Sequence, residues 1–240
     1  MDENTRDQLI DLNRKFYQTF AEQFSATRQR LQPGIIKIIP RISKRDKLLD
    51  LGCGNGEFGK ELFRRGHRGV YVGIDSNPQL LDIAQTNLAG NDSAYLLQRD
   101  LTSPSWDRNL PHNQYEVVSA FAVLHHIPSS ALRQLILEKV RGLIAPGSIF
   151  IHSEWQFLNS QRLQKRIQPW EKFGLESSQV EPGDYLIDWR YGGHGYRYIH
   201  HFTINELDQL ASDTGYTILD TFSSDGEGGE LGLYQIWISV

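Results

Sequence analysis

Short apolar runs alternate along this chain with longer stretches whose apolar residues fall three and four apart. The runs at 47–52, 70–75, 94–100, 115–123 and 148–153 read as buried strands. Between them, 57–65, 79–88 and 132–144 read as helices, the last with Leu132, Leu135, Ile136, Val140 and Leu143 on one face. Ser76 with Pro78, and Pro128-Ser129-Ser130, mark helix starts. Thr203-x-x-Glu206 is a capping box opening a helix that Gly215 closes, and 216–222 and 233–240 read as a final hairpin. Strand–helix alternation predicts an α/β fold: a Rossmann-like, seven-stranded, mostly parallel sheet with a C-terminal antiparallel hairpin.

Two segments fall outside that scheme. In the first, Leu9, Leu12, Phe16, Phe20 and Phe24 form an apolar stripe at helical spacing, with Tyr17 off the stripe. The second, 156–202, is far longer than an ordinary connection, which predicts a structured insertion. The expected organisation is one domain over 1–240: an N-terminal helical lid at 1–43, a ligand-binding core at 44–155, an inserted cap at 156–202, and a helix and hairpin at 203–240.

Chemistry concentrates where the first strand ends. Leu48-Leu49-Asp50-Leu51-Gly52-Cys53-Gly54-Asn55-Gly56 is a strand turning sharply into a helix, with backbone left bare for a ligand to approach. Asp75 ends the second strand and supplies a carboxylate suited to ribose hydroxyls, and Asp100 ends the third. Nicotinamide and flavin sites favour Gly-x-Gly-x-x-Gly, whereas this pattern is Asp50-x-Gly52-x-Gly54-x-Gly56. In that form the chain resembles the class I S-adenosylmethionine-dependent methyltransferases. The resemblance implies S-adenosyl-L-methionine as cofactor, held by Asp50, Gly52, Gly54, Gly56, Asp75, Ser76, Asp100 and Leu101, with Tyr17, Arg28, Ala122 and His125 closing around it.

Composition narrows the class without choosing a substrate. The 240 residues are 39% hydrophobic and 22% charged, and no apolar run is long enough for a membrane span. A polar, acidic start predicts no signal peptide. The single cysteine, Cys53, excludes an intramolecular disulfide and fits a reducing, cytoplasmic setting. His194, His200 and His201 near Asp184 match no standard ligand spacing, so no metal site is expected.

Three further stretches sharpen the resemblance: Phe24-Ser25-x-Thr27-Arg28, Val123-Leu124-His125-His126-Ile127, and Arg197-Tyr198-Ile199-His200-x-Phe202. They resemble the eukaryotic-type tRNA wobble-uridine methyltransferases, which esterify the carboxylate of 5-carboxymethyluridine in the anticodon loop. Pro182-Gly183-Asp184 through Trp189 resembles that family's acidic and tryptophan segment. The chain departs from the pattern at Ile199, where the family usually has an aromatic, and at Gln29-Arg30-Leu31-Gln32-Pro33, where it has Lys-Pro-Trp-Pro. The resemblance implies tRNA as substrate and a small zinc-binding activator subunit as partner.

A carboxylate acceptor is already ionised at neutral pH and needs donors, not a base; Arg197, Tyr198 and His200 are the candidates, with His126 beside them. An amine or phenol acceptor would instead need His125 or His126 as base. A net charge of −4 favours a small-molecule acceptor, the alternative O- or N-methyltransferase, over a general nucleic-acid binder. A cofactor-binding scaffold without catalysis is a third reading. Against the bulk charge stand two local basic groups, one from Arg28 to Lys47 and one of Arg162, Lys165, Arg166 and Lys172, which would form a tRNA track if they share one rim.

Overall fold

The computed structural model describes residues 1–27 and 30–239. Five parallel strands, β1 (Leu48–Leu51), β2 (Tyr71–Asp75), β3 (Ala94–Gln98), β4 (Tyr115–Phe121) and β5 (Ile144–Trp155), form the sheet with β9 (Tyr216–Ser224) and β10 (Gly232–Ser239). The order is β3-β2-β1-β4-β5-β10-β9, and β10 runs antiparallel to both of its neighbours. This is the expected Rossmann-like α/β sheet with its closing hairpin. β5 is longer than the apolar run suggested, beginning at Ile144, with its register against β4 shifting between Tyr115 and Val117.

Alternation along the strands feeds two cores. Leu49, Val72, Val118 and Phe150 face the helices α5 (Ser130–Leu143) and α7 (Ile204–Asp213) through Ile136, Leu137, Leu207 and Ala211. Their neighbours Leu48, Tyr71, Val117 and Ile151 face α2 (Pro33–Ile38) and α3 (Glu57–Arg64) through Ile35, Ile38, Phe58 and Leu62. A sheet apolar on both faces has to be covered on both, which is why continuous apolar runs marked these strands. The helix α4 (Pro78–Asn87) starts where expected, the Asn77 side chain accepting the Leu80 amide.

The segment after β5 builds a second sheet from β6 (Ile167–Gln168), β7 (Asp184–Trp189) and β8 (Gly195–His200), all antiparallel. A short helix, α6 (Gln161–Gln164), precedes it. The long N-terminal helix α1 (Glu3–Ala26) lies against β8, with Leu9 packed among Trp170, Leu186 and Tyr198, and Phe16 and Phe20 against Trp189. At Phe20 the backbone leaves helical geometry (φ −117°, ψ 22°), and α1 bends there. Buried Asn13 fixes the helix: its amide donates to the His126 and Tyr198 carbonyls at 3.0 and 3.1 Å, and its oxygen accepts the Tyr198 N–H at 2.8 Å.

The first basic group does not stay together. Lys47 immediately precedes β1 and pairs with Glu116 near the start of β4, and Arg41 pairs with Asp220. Lys44 and Arg45 lie just before β1, at the strand edge opposite Asp50 and Asp75. A single track joining Arg41, Lys44 and Arg45 to the second basic group is therefore not formed: parallel strands separate their two ends by about 3.3 Å per residue.

Candidate active site

A cleft of about 740 Å³ opens at the carboxyl ends of β1, β2, β4 and β5, walled on the far side by α1 and the second sheet. Open parallel sheets carry their ligand sites at this edge, where strands end and loops begin. Gly52, Gly54, Asp50, Asp75, Ser76, Asp100, Leu101, Ala122, His125, Tyr17 and His126 all line it. Arg28 lies outside the described residues.

The glycines divide their duties. Gly52 (φ +64°) turns the chain where a Cβ would strike Val123 Cγ2 at 2.6 Å. At Gly54 (φ +55°) a Cβ would meet nothing within 4 Å; it would project into open space in a loop that lines the cleft. Gly56 is the correction. It does not line the cleft; its Cβ would press on Ala84 Cβ at 3.0 Å, so it serves the close packing of α3 on α4.

The three aspartates also differ. Asp50 is buried, accepting from Tyr71 Oη at 2.6 Å and Ser119 Oγ at 2.7 Å, and burial pushes its carboxyl up to about 6. It ties the end of β1 to its neighbours β2 and β4. Asp75 is part-exposed at the cleft, its oxygens accepting the amides of Gly54 at 2.9 Å and Asn77 at 2.8 Å. Burial raises its pKa while those amides pull it down. Each oxygen keeps a second lone pair for a ligand hydroxyl. Asp100 accepts the Thr102 amide and hydroxyl on one oxygen and faces Arg14 with the other, 3.4 Å away.

After β4 the backbone is strained. Ala122 takes a left-handed φ of +56°, and its N–H donates to the carbonyl and hydroxyl of Ser153. Such a conformation costs about 1–3 kcal/mol and persists where its surroundings enforce it. It sends the next turn, Leu124–His126, into the cleft wall. His125 is held by Glu154, and His126 Nε2 lies 2.7 Å from Tyr17 Oη.

On the second sheet the predicted catalytic trio separates. Successive residues of a strand point to opposite faces, so Arg197 turns to the cleft while Tyr198 and His200 turn away. The guanidinium of Arg197 sits 4.9 Å from the Trp155 ring, 5.4 Å from Phe16 and 5.7 Å from Trp189. Among the described residues it forms no ion pair, and its buried Nε has no hydrogen-bond partner. Tyr198 and His200 do not line the cleft. Tyr198 Oη donates to Asp184 at 2.6 Å, and the His200 ring bonds Asp184 at 2.7 Å and Glu206 at 2.8 Å. Burial works against the imidazolium of His200, but the two carboxylates outweigh it and raise its pKa. Buried Arg133 completes the cluster, reaching Glu181 at 3.2 Å and the Ile127 carbonyl at 3.0 Å. These residues staple β7 and β8 to α5 and α7.

Residues 23–221 match the methyltransferase domain family, which spans most of the chain. The chain belongs to that family. It is an S-adenosylmethionine-dependent methyltransferase, and the bare Gly54 wall and the Asp75 lone pairs fit that cofactor's amino-acid and ribose parts. The methyltransferase is 27% identical over 219 residues to a tRNA (carboxymethyluridine(34)-5-O)-methyltransferase of Schizosaccharomyces pombe, covering 85% of this chain and 88% of that one. It is 30% identical over 106 residues to a ubiquinone biosynthesis O-methyltransferase of Aeromonas salmonicida, covering 44% of this chain and 42% of the other. Among solved structures, a SAM-dependent methyltransferase of Methanosarcina mazei superposes with TM-score 0.67 at 22% identity, over 88% of this chain and 98% of that one. A methyltransferase bound to the Trm112 activator of Haloferax volcanii gives TM-score 0.66 at 15% identity, over 96% and 97%. Both share the fold.

Sequence reading missed Asn13, Glu154 and Trp155. Asn13 sits in a helix whose stripe advertises only packing, and Glu154 and Trp155 lie just past the apolar run 148–153, in the part of β5 that the run did not mark. No helix among the described residues is long and apolar enough to cross a membrane.

Proposed function

We propose that this methyltransferase esterifies the carboxylate of a 5-carboxymethyl group on a tRNA wobble uridine. One observation carries the reading: Arg197 presents a guanidinium to the cleft from a cage of Phe16, Trp155 and Trp189 without an acidic partner among the described residues. A caged, weakly hydrated guanidinium binds a carboxylate with two parallel hydrogen bonds. The S. pombe relative, matched over most of both chains, supports the same acceptor.

S-adenosylmethionine supplies a methyl group activated on a sulfonium, and its transfer to a carboxylate oxygen moves no proton. The work left to the protein is alignment and exclusion of water. Asp75 would hold the ribose, the Gly52–Gly54 backbone the amino-acid part, and Asp100 with Leu101 the adenine. Arg197 orients the acceptor. His126, tied to Tyr17, closes the wall between α1 and the turn after β4.

Arg30, Arg162 and Arg166 line the cleft mouth and give it the positive charge that phosphate contact requires, despite the net charge of −4. A small activator subunit is the proposed partner, supported by the fold shared with the Trm112-bound methyltransferase. The competing reading, a small-molecule O-methyltransferase, is favoured by the acidic total and by the Aeromonas relative.

Nucleoside analysis of tRNA from cells with and without this protein decides between them. Loss of the methyl ester with accumulation of the free carboxymethyl nucleoside is the expected result. An unchanged ester level would overturn the tRNA reading.

A further inference from the structure

β5 ends in His152-Ser153-Glu154-Trp155, and strand alternation sends His152 and Glu154 to the same side. Glu154 is 1% exposed. Its Oε1 lies 3.0 Å from His152 Nδ1, and its Oε2 lies 2.9 Å from His125 Nδ1 and accepts the His125 amide at 3.1 Å. A third contact makes this arrangement informative. The Trp155 amide donates to the same His125 Nδ1 at 3.2 Å.

A backbone N–H can only donate, so this contact calls for the single lone pair of a bare Nδ1 on His125, which the Trp155 amide and Glu154 then share as a three-centre hydrogen bond. The proton of a neutral His125 ring then sits on Nε2. Two acceptors do not approach to 2.9 Å without a proton between them, so the contact from Nδ1 to Oε2 needs a hydrogen on Glu154. His152 fits the same scheme as a neutral donor to Oε1, since burial holds its pKa down at about 3.

The electrostatics agree. Burial pushes the Glu154 carboxyl well up; the His125 amide and the Arg133 charge pull it down, and Glu206 pushes it up again. Besides these, His125 and His152 are the titratable groups bonded to it, and among the described residues no lysine or arginine touches Glu154.

We propose that Glu154, as a neutral carboxylic acid, is a positioning residue that with the Trp155 amide holds His125 in its Nε2–H tautomer. His125 lines the cleft. In that tautomer it is a hydrogen-bond donor and is disqualified as the base that an amine or phenol acceptor would need. The assignment of a use to that donor rests on the carboxylate reading above, because an anionic acceptor gains from a second donor beside Arg197.

Ring-nitrogen NMR of the full-length protein labelled with ¹⁵N-histidine tests the tautomer directly, with His125 assigned from the spectrum of His125→Gln. The expected pattern at neutral pH is protonated Nε2 and bare Nδ1. Glu154→Gln retains a donor toward Nδ1 and should retain that pattern. Glu154→Ala should release it toward a mixture of tautomers and lower turnover roughly tenfold. A wild-type Nδ1–H pattern, an imidazolium at neutral pH, or an unaltered tautomer in Glu154→Ala would overturn the proposal. None of these spectra involves the acceptor. An expected tautomer with an unchanged tRNA ester would sink the substrate reading alone, and the opposite pair of results would sink this proposal alone.

Discussion

Tyr17 Oη and His126 Nε2 lie 2.7 Å apart, joining the middle of α1 to the turn that follows β4. The two residues are 109 positions apart in the chain. Asn77 reinforces the join from a third direction, its side-chain amide donating to the Tyr17 carbonyl at 2.7 Å while its oxygen caps α4. The helix is thus bonded to loops at the ends of β2 and β4, and its aromatic residues form one wall of the cleft.

Tyr17→Phe removes that bond and keeps the ring. A hydrogen bond of this kind contributes about 0.5–1.5 kcal/mol, so turnover should fall by a few-fold to about tenfold. Single-turnover rates measure it, and circular dichroism melting should place the variant close to wild type. An unchanged rate would show that α1 reaches the same position without the bond.

Asp75→Ala should weaken S-adenosylhomocysteine binding roughly tenfold to more than a hundredfold, the range for lost charge-assisted hydrogen bonds of about 1.5–3 kcal/mol. Two amides, of Gly54 and Asn77, lose their acceptor at the same time. Calorimetry reads the loss. Tighter binding of NAD than of S-adenosylhomocysteine to the wild type would contradict the glycine-spacing argument.

Arg197→Ala should lower turnover on a carboxymethyluridine anticodon stem-loop by at least about a hundredfold, as removal of a buried charge-assisted contact does, with cofactor affinity within twofold of about the wild-type value. Arg197→Lys should rescue little, because an ammonium cannot form two parallel bonds. Equal activity of the lysine and arginine forms would argue against bidentate holding.

At the cleft mouth, reversing Arg162 and Arg166 to glutamate should weaken tRNA binding and reduce its salt slope by about two, one for each lost phosphate contact. The same reversal at Lys44 and Arg45, on the opposite sheet edge, should leave binding near wild type. Titrations at several salt concentrations, with and without an activator subunit, compare the two. Salt-insensitive binding in every case would favour a small-molecule acceptor.

His152 should govern acid stability. Its folded pKa is lowered from about 6.5 to about 3, so the unfolded chain takes up a proton that the native state refuses, and this contribution, present above pH 6.5, is lost as pH falls toward 3. Asp50 and Glu154 act with opposite sign. Their folded pKa values are raised, so their contributions are complete at low pH and decline as pH rises, Asp50's between its ordinary 3.8 and about 6. The His152 loss is opposed at mildly acid pH and unopposed below about pH 4. Denaturant midpoints for His152→Gln should therefore fall less than wild type between about pH 4 and 3. Parallel curves for the two proteins would assign acid sensitivity elsewhere.

Local chemistry was readable from the chain because it is carried by neighbours in sequence. Asp50, Gly52 and Gly54 share one turn, Asp75 and Asp100 each end an apolar run, and the strand–helix alternation that produced those runs is the fold itself. Covalent proximity and strand periodicity were enough to bring them to one sheet edge. Four other matters depended on distance through space. Gly56 reads like its companions until Ala84 is seen beside it. Arg197, Tyr198 and His200 read as one motif until the pleat of β8 divides them between the cleft and the Asp184–Glu206 cluster. The basic run before β1 reads as continuous with the cleft until the length of the parallel strands parts them. The tautomer of His125 depends on Glu154 and the Trp155 amide, about thirty residues away and brought alongside only by the pairing of β4 with β5. Sequence carries what bonded neighbours and backbone periodicity dictate; the direction in which each polar group points is set by partners that only packing supplies.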